Sequence, residues 1–150
     1  MKITMPDLDV SVSEIFELLD AMELATTDNY PARNVFHRDL RNEKLERRSL
    51  ESTISITARD TEGRLIGFLK LLTDHSYMFY ILDVMVHPHY RGQGVGRKLV
   101  DEAIRYGKEN GFIKIFLTSL PDKVNYYKSF GFGEGMSPVL SLRGEDYVKR

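Results

Sequence analysis

The stretch Arg91-Gly-Gln-Gly94-Val-Gly96-Arg97-Lys98 carries the strongest chemical signature in this chain. It follows the apolar run Leu82-Asp-Val-Met-Val86 and leads into Leu99, Val100, Ala103 and Ile104 at helical spacing. A strand that ends in a glycine turn and opens a helix presents backbone N–H groups at the positive end of that helix, a seat for phosphate. Gly92, Gly94 and Gly96 let the backbone approach an anion without interference from Cβ. Arg97 and Lys98 stand where cations oppose the helix macrodipole, so they cost stability unless an anion shares the place. A plain strand-to-helix connection needs neither three glycines nor the flanking Arg91 and Arg97.

Other residues have types suited to proton transfer. Asp83 interrupts an apolar strand, where its propensity is poor. It reads as a general base, since burial makes a carboxylate a better base, or equally as the satisfied partner of a basic side chain. His87, with a reference pKa near ~6.5, is a second base or a structural residue before Pro88. Tyr80 offers a hydroxyl but lies in a run where aromatic side chains normally fill the core. In Tyr126-Tyr127-Lys-Ser-Phe130-Gly131-Phe132, one tyrosine is a candidate acid and Tyr126, paired at i,i+4 with Phe130, is packing.

Two common phosphate templates fail. No G-x-x-x-x-G-K-[ST] run is present. The dinucleotide fingerprint needs a third glycine where Arg97 stands.

The elements that must position these groups follow from periodicity. Residues 2–5 suggest a short strand. Ser11-Val-Ser-Glu14 has capping-box spacing, with Val10 and Ile15 as a hydrophobic staple, and Val12, Ile15, Phe16, Leu19 and Met22 predict a helix over about 11–24. Thr26–Pro31 breaks it. The charged segment 32–50 reads as a mostly exposed helix supported by a pair such as Glu43 with Arg47, a solvated face rather than a nucleic-acid patch. Residues 53–58 alternate as a half-buried strand, 60–64 form a hairpin turn and 65–72 return. Tyr77 to Val86 suggests a central strand buried on both faces. The helix after the glycines stops at Asn110-Gly111. A strand over 113–118, a short helix from Pro121 to Gly131, and strands around 132–135 and 138–143 complete the order β-α-α-β-β-β-α-β-α-β-β. This implies an α+β fold of three layers: a mixed, largely antiparallel, twisted sheet of six to seven strands with helices on both faces.

Arg91-x-x-Gly94-x-Gly96, after a strand ending Val-His-Pro-x-Tyr, resembles the cofactor motif of the GNAT superfamily of acyl-CoA-dependent N-acetyltransferases. Tyr127-Lys-Ser-Phe-Gly131-Phe132 resembles the second hallmark of that superfamily, and the spacing and element order also agree over about residues 52–135. The resemblance implies that acetyl-CoA is the acetyl donor and that backbone amides from Gly92 to Gly96, Val95 included, cradle its pyrophosphate with Arg91, Gln93 and Arg97. It implies that the backbone of Val84, Met85 and Val86 pairs with pantetheine, which requires this strand to splay from its neighbour through a β-bulge. It makes Tyr127 the acid that protonates the CoA thiolate or hydrogen-bonds to its sulfur. The Asn that many members carry seven residues before the helix tyrosine is Leu120 here, so that pantetheine contact is not implied.

The acceptor poses a physical problem, because an alkylamine with a pKa near ~10.4 is roughly 99.9% protonated at pH 7 and only the neutral form attacks. Asp83, His87 or a water chain must therefore take a proton. The chain has no cysteine, so neither a cysteinyl acyl carrier nor a Cys-based zinc site is available. Direct attack by a primary amine, with no metal, is the expected mechanism. The alternatives are a non-catalytic acyl-CoA-binding module and a protein lysine or N-terminal acetyltransferase. The acceptor groove is expected from 25–36, including Asp28, Tyr30 and Phe36, and from the hairpin near 73–79.

Composition supplies the outer bounds. A length of 150 residues suits one domain, 1–150, and the net charge of −1 speaks against a general nucleic-acid binder. No apolar signal core or membrane-length run occurs, so a cytoplasmic location is expected without a membrane partner. Segment 32–50 could equally serve as a lid or a homodimer contact.

Overall fold

In the computed structural model, which describes residues 1–24 and 42–135, the switch in hydrophobic period at residue 52 marks the entry into a sheet. The chain divides into two compact units, Met1–Thr118 and Ser119–Arg150.

The first unit is built on a five-stranded sheet in the order β1-β2-β3-β4-β5. The strands are β1 Lys2–Thr4, β2 Ile54–Arg59, β3 Leu65–Thr73, β4 Met78–Val86 and β5 Lys114–Phe116. The first four run antiparallel to their neighbours, and β5 joins β4 in parallel. Three helices flank them: α1 Val12–Leu24, α2 Glu43–Glu51 and α3 Val95–Glu109.

The helix ends form as their residues dictate. Glu14 N–H donates to Ser11 Oγ at 3.3 Å while Ser11 N–H donates to Glu14 Oε2 at 2.9 Å, a reciprocal capping box. At α3, the Gly111 and Phe112 amides donate back to Lys108 O and Gly107 O, with Gly111 at φ 72°, the paired bonds of a Schellman stop. The Glu43–Arg47 pair forms at 2.7 Å.

Adjacent side chains of β3 face opposite layers, as the two-residue period requires. Phe68 packs with Ile15, Leu18 and Leu19 of α1 and with Met85. Gly67 instead lies under α3, close to Val95 and Leu99. Helices therefore cover both faces, and each fully buried Leu, Ile or Phe contributes about 1.5–3 kcal/mol to holding the layers together.

The second unit holds a 3₁₀ turn, Pro121–Lys123, and the short helix α4 Val124–Lys128.

Two expectations need correction. The strand expected over 132–135 does not form, and the sheet has five strands among the described residues. The expected strand 138–143, the break at 26–31 and residues 32–41 of the charged helix lie outside the described residues. Nor is β4 buried on both faces: Phe79, Ile81 and Met85 are buried, whereas Leu82, Val84 and Val86 are half-buried and Asp83 is exposed. The reason is a bulge and an open edge on this strand.

Candidate functional site

The register of β4 changes at its centre. Phe68 lies opposite Met85 and Lys70 opposite Leu82, so two steps on β3 correspond to three on β4. The extra residue is accommodated at Asp83-Val84, where Asp83 adopts φ 50°. Aspartate tolerates this left-handed backbone better than the branched apolar residues around it. The bulge reverses the alternation of the strand. Phe79 faces Gly107 of α3, whereas Met85, also odd-numbered, joins the α1 cluster. The same strand is open along its other edge. It pairs with β5 only through Met78, Phe79 and Tyr80, and the partner registers stop at Phe116. From Ile81 to Val86 no strand lies beside that edge among the described residues. The expected splay and bulge are thus both present, leaving main-chain groups that an extended ligand can pair with.

The edge runs into the glycine turn. His87 N–H makes a last sheet bond to Ile66 O at 2.9 Å, and Pro88–Tyr90 form a 3₁₀ turn. Tyr90 Oη donates to Asp60 Oδ2 at 2.9 Å, tying this turn to the β2–β3 hairpin. Gln93 Nε2 donates to His89 O at 2.8 Å, so its side chain braces the turn. Gly92 and Gly94 have φ 74° and 81°. A Cβ at either position would meet nothing within 4 Å, so backbone conformation demands glycine and the space beside both is open. Gly94 is the N-cap of α3 and has no side-chain cap. The first helical bond is Lys98 N–H to Gly94 O at 3.0 Å, so the amides of Val95, Gly96 and Arg97 precede the ladder. No acidic residue stands in this first turn, whereas Arg97 and Lys98 do. Backbone amides ahead of the helical ladder, open space and adjacent cations fit a diphosphate. The side chains of Met85 and Val95 are buried in the core, so only their main chains face this purpose.

Asp83 departs from the burial expected of it, its side chain being 34% exposed. One carboxylate oxygen lies 3.1 Å from Lys70 Nζ. That ammonium also donates to Glu46 Oε1 at 2.8 Å and Ser49 Oγ at 3.0 Å, both on α2. Lys70 is buried in mid-strand. Burial pulls its pKa down, but Asp83 and Glu46 outweigh that and hold it above the usual lysine value. The ion-pair reading of Asp83 is therefore realised, and the carboxylate keeps an exposed face.

His87 is tied into the turn, its Nδ1 accepting from His89 N–H at 3.3 Å. Burial, then the neighbouring His89, Arg64 and Arg91, lower its pKa. Tyr80 stacks on Phe116 with ring centroids 6.4 Å apart, where β4 and β5 still pair.

In the second unit, Tyr127 packs edge-on against Phe132 at 6.2 Å and against Tyr126 at 5.1 Å. Gly131 at φ 98° reverses the chain so that Phe132 returns to the tyrosine. Tyr126 and Phe130 form the expected i,i+4 pair at 5.1 Å. Leu120 precedes the 3₁₀ turn as an N-cap without a side-chain bond.

Lys70, Glu46, Ser49 and Gly67 were not singled out by sequence reasoning. A lysine between leucines in Leu69-Lys70-Leu71 was the available signal, as was a glycine inside a strand. The groove residues Asp28, Tyr30 and Phe36 lie outside the described residues.

Among the described residues no helix is long and apolar enough to cross a membrane. Comparison with known proteins places this geometry. The chain is 26% identical over 132 residues to the uncharacterized N-acetyltransferase ycf52 of Pyropia yezoensis, covering 87% of this chain and 73% of that protein. It is 27% identical over 134 residues to the glucosamine 6-phosphate N-acetyltransferase of Trypanosoma brucei brucei, covering 84% and 89%. The crystal structure of a probable acetyltransferase from Staphylococcus aureus shares the fold with a TM-score of 0.71 at 17% identity, over 95% of this chain and 99% of that one. The model of the acetyltransferase (GNAT) family matches residues 15–132. With the family model matched over residues 15–132, acetyltransferase relatives and a shared fold, the chain belongs to the GNAT family of acetyltransferases.

Proposed function

We propose that the chain, acting as one domain over 1–150, transfers an acetyl group from acetyl-CoA to a primary amine by direct attack within a ternary complex. The observation that carries this reading is the open edge of β4 leading through the glycine turn into the N-terminus of α3, whose N-cap makes no side-chain bond. Acetyl-CoA supplies, when bound, an acetyl thioester. The amides from Gly92 to Arg97 hold the diphosphate, with Arg91 and Arg97 adding charge and Gln93 bracing the turn. Main-chain groups of Val84, Met85 and Val86 hold the pantetheine arm as an added strand. A β4 amide at the bulge donates to the acyl oxygen where negative charge develops.

Asp83 presents its exposed face to the acceptor and takes a proton from the ammonium, directly or through water. Tyr127 donates its hydroxyl proton to the departing sulfur, in line with its register in the second family hallmark. No cysteine is available to carry the acetyl group. The acceptor is a primary amine, of a small molecule or of a peptide. The names of relatives point both ways: one is a glucosamine 6-phosphate N-acetyltransferase, and another, 36% identical over 71 residues, is a histone acetyltransferase of Glycine max. Initial rates with both substrates varied test the order of events. Intersecting lines are expected; parallel lines, with acetylated enzyme trapped by rapid quench, would overturn direct attack.

A further inference from the structure

The one buried lysine of the sheet has no part in holding the donor, yet it meets the bulge from beneath. Lys70 Nζ has three partners, drawn from two elements: Asp83 at 3.1 Å on β4, and Glu46 at 2.8 Å and Ser49 at 3.0 Å on α2. Its side chain is 6% exposed, against 34% for Asp83 and 21% for Glu46. A buried ammonium with three oxygen partners has its donors filled. Two carboxylates against one ammonium leave the cluster with a formal charge of −1, on the side where a cationic amine would have to approach. Asp83 itself sits on a left-handed residue at the centre of the bulge, with no hydrogen bond to its carboxylate from its own strand among those resolved. The direction of that carboxylate is thus set from across the sheet.

We propose that Lys70 is a positioning residue for acetyl transfer: shared between Asp83 and α2, it aims the Asp83 carboxylate at the acceptor and holds α2 against the bulge. This rests on the reading of Asp83 as the acceptor-side group. One oxygen of Asp83 is occupied by Lys70, which leaves the other for the amine or its water. Glu46 and Ser49 prevent the ammonium from following Asp83 outward, so the pair keeps a single geometry. Asp83 and Glu46 are the charged groups that face Lys70 among the described residues, and Ser49 is the neutral one.

A double-mutant cycle on the full chain tests this, with kcat, the KM for amine and the KM for acetyl-CoA read separately and folding checked by circular dichroism. Asp83→Asn is expected to lower kcat about 100-fold. Lys70→Met is expected to lower kcat about tenfold and raise the KM for amine, with the KM for acetyl-CoA within about twofold. The double variant is expected to match Asp83→Asn alone, because Lys70 acts only through that carboxylate. Should Lys70→Met fail to fold, Lys70→Gln with Glu46→Gln, which keeps hydrogen-bonding side chains and removes both charges, replaces it in the cycle. Full kcat in the Lys70 variant while Asp83→Asn is impaired overturns the positioning role alone. Losses that multiply in the double variant overturn it too, since Lys70 would then act by another route. An Asp83→Asn variant with full kcat removes the reading of Asp83 and the role of Lys70 with it.

Discussion

Gly67 couples the core to the proposed donor site, and adding one methyl group there should disturb both. It lies on β3, opposite Ala58 of β2 and Val86 of β4, beneath the start of α3. A Cβ at this position would fall 2.7 Å from Val95 Cγ1, 3.0 Å from Leu99 Cδ1 and 3.3 Å from Ala58 Cβ. Carbon contacts settle at about 3.5–4.0 Å, so the first turn of α3 must lift by about 0.8 Å. Overpacking of this kind costs about 1–3 kcal/mol. For a chain of this length, about 2–4 °C accompanies each kcal/mol, so Gly67→Ala should lower Tm by roughly 2–12 °C. Val95 directly follows the N-cap Gly94, so the same lift moves the amides proposed to hold the diphosphate. A loss of about 1 kcal/mol of hydrogen bonding there raises the KM for acetyl-CoA about fivefold.

Thermal melts and steady-state rates at saturating amine measure the two effects. Val95→Ala removes the nearest obstructing methyl, so Gly67→Ala with Val95→Ala should lose less stability than the sum of the single variants. The reasoning fails if Gly67→Ala melts within about 1 °C of the parent, less than the smallest shift expected from overpacking. It fails equally if the two substitutions prove additive.

Three other outcomes follow from the same geometry. Arg97→Gln should raise the KM for acetyl-CoA about tenfold with the loss of a charged contact; an unchanged KM would remove its place beside the diphosphate. Tyr127→Phe should lower kcat about 10- to 100-fold with little change in either KM, and full turnover would remove its assignment as the acid. The Arg59 hydrogen bond, then the bonds from Ser11, hold the pKa of Glu14 below 4.5 against the opposing effect of burial. This stabilisation is complete above pH 4.5 and is lost as pH falls through the lowered folded value. Melts of Glu14→Gln against the parent should therefore differ at pH 6, by about 1 kcal/mol as for a capping residue, and converge in acid. A gap that widens in acid would reverse the sign.

What could be read from the sequence was local. The capping box at Ser11–Glu14, the stop at Asn110-Gly111 and the turn at Gly92–Gly94 each depend on neighbours within a few residues, and each formed. The family resemblance added the need for a bulge, which appears at Asp83 with its phase reversal. The partners of Asp83 and Gly67 could not be read in the same way. Lys70 meets Glu46 and Asp83, and Gly67 meets Val95, across separations that the β3–β4 register and the packing of α2 and α3 on the sheet bring together. The apolar run Tyr77–Val86 looked buried on both faces because hydrophobicity does not reveal that β5 stops at Phe116. Residues 132–135 looked like strand material, yet Gly131, Gly133 and Gly135 carry no side chains to pack a ladder, and the segment stays irregular.

The central claim is that the open β4 edge and the α3 N-terminus serve amine acetylation. Its most direct test is to follow free CoA released from acetyl-CoA across small primary amines and lysine peptides, with mass spectrometry locating the acetyl group. Amine-dependent CoA release that matches an N-acetylated product mole for mole is expected, with no acetyl group left on the protein. Tight binding of acetyl-CoA with no amine-dependent release, or acetyl groups accumulating on the protein itself, would contradict it.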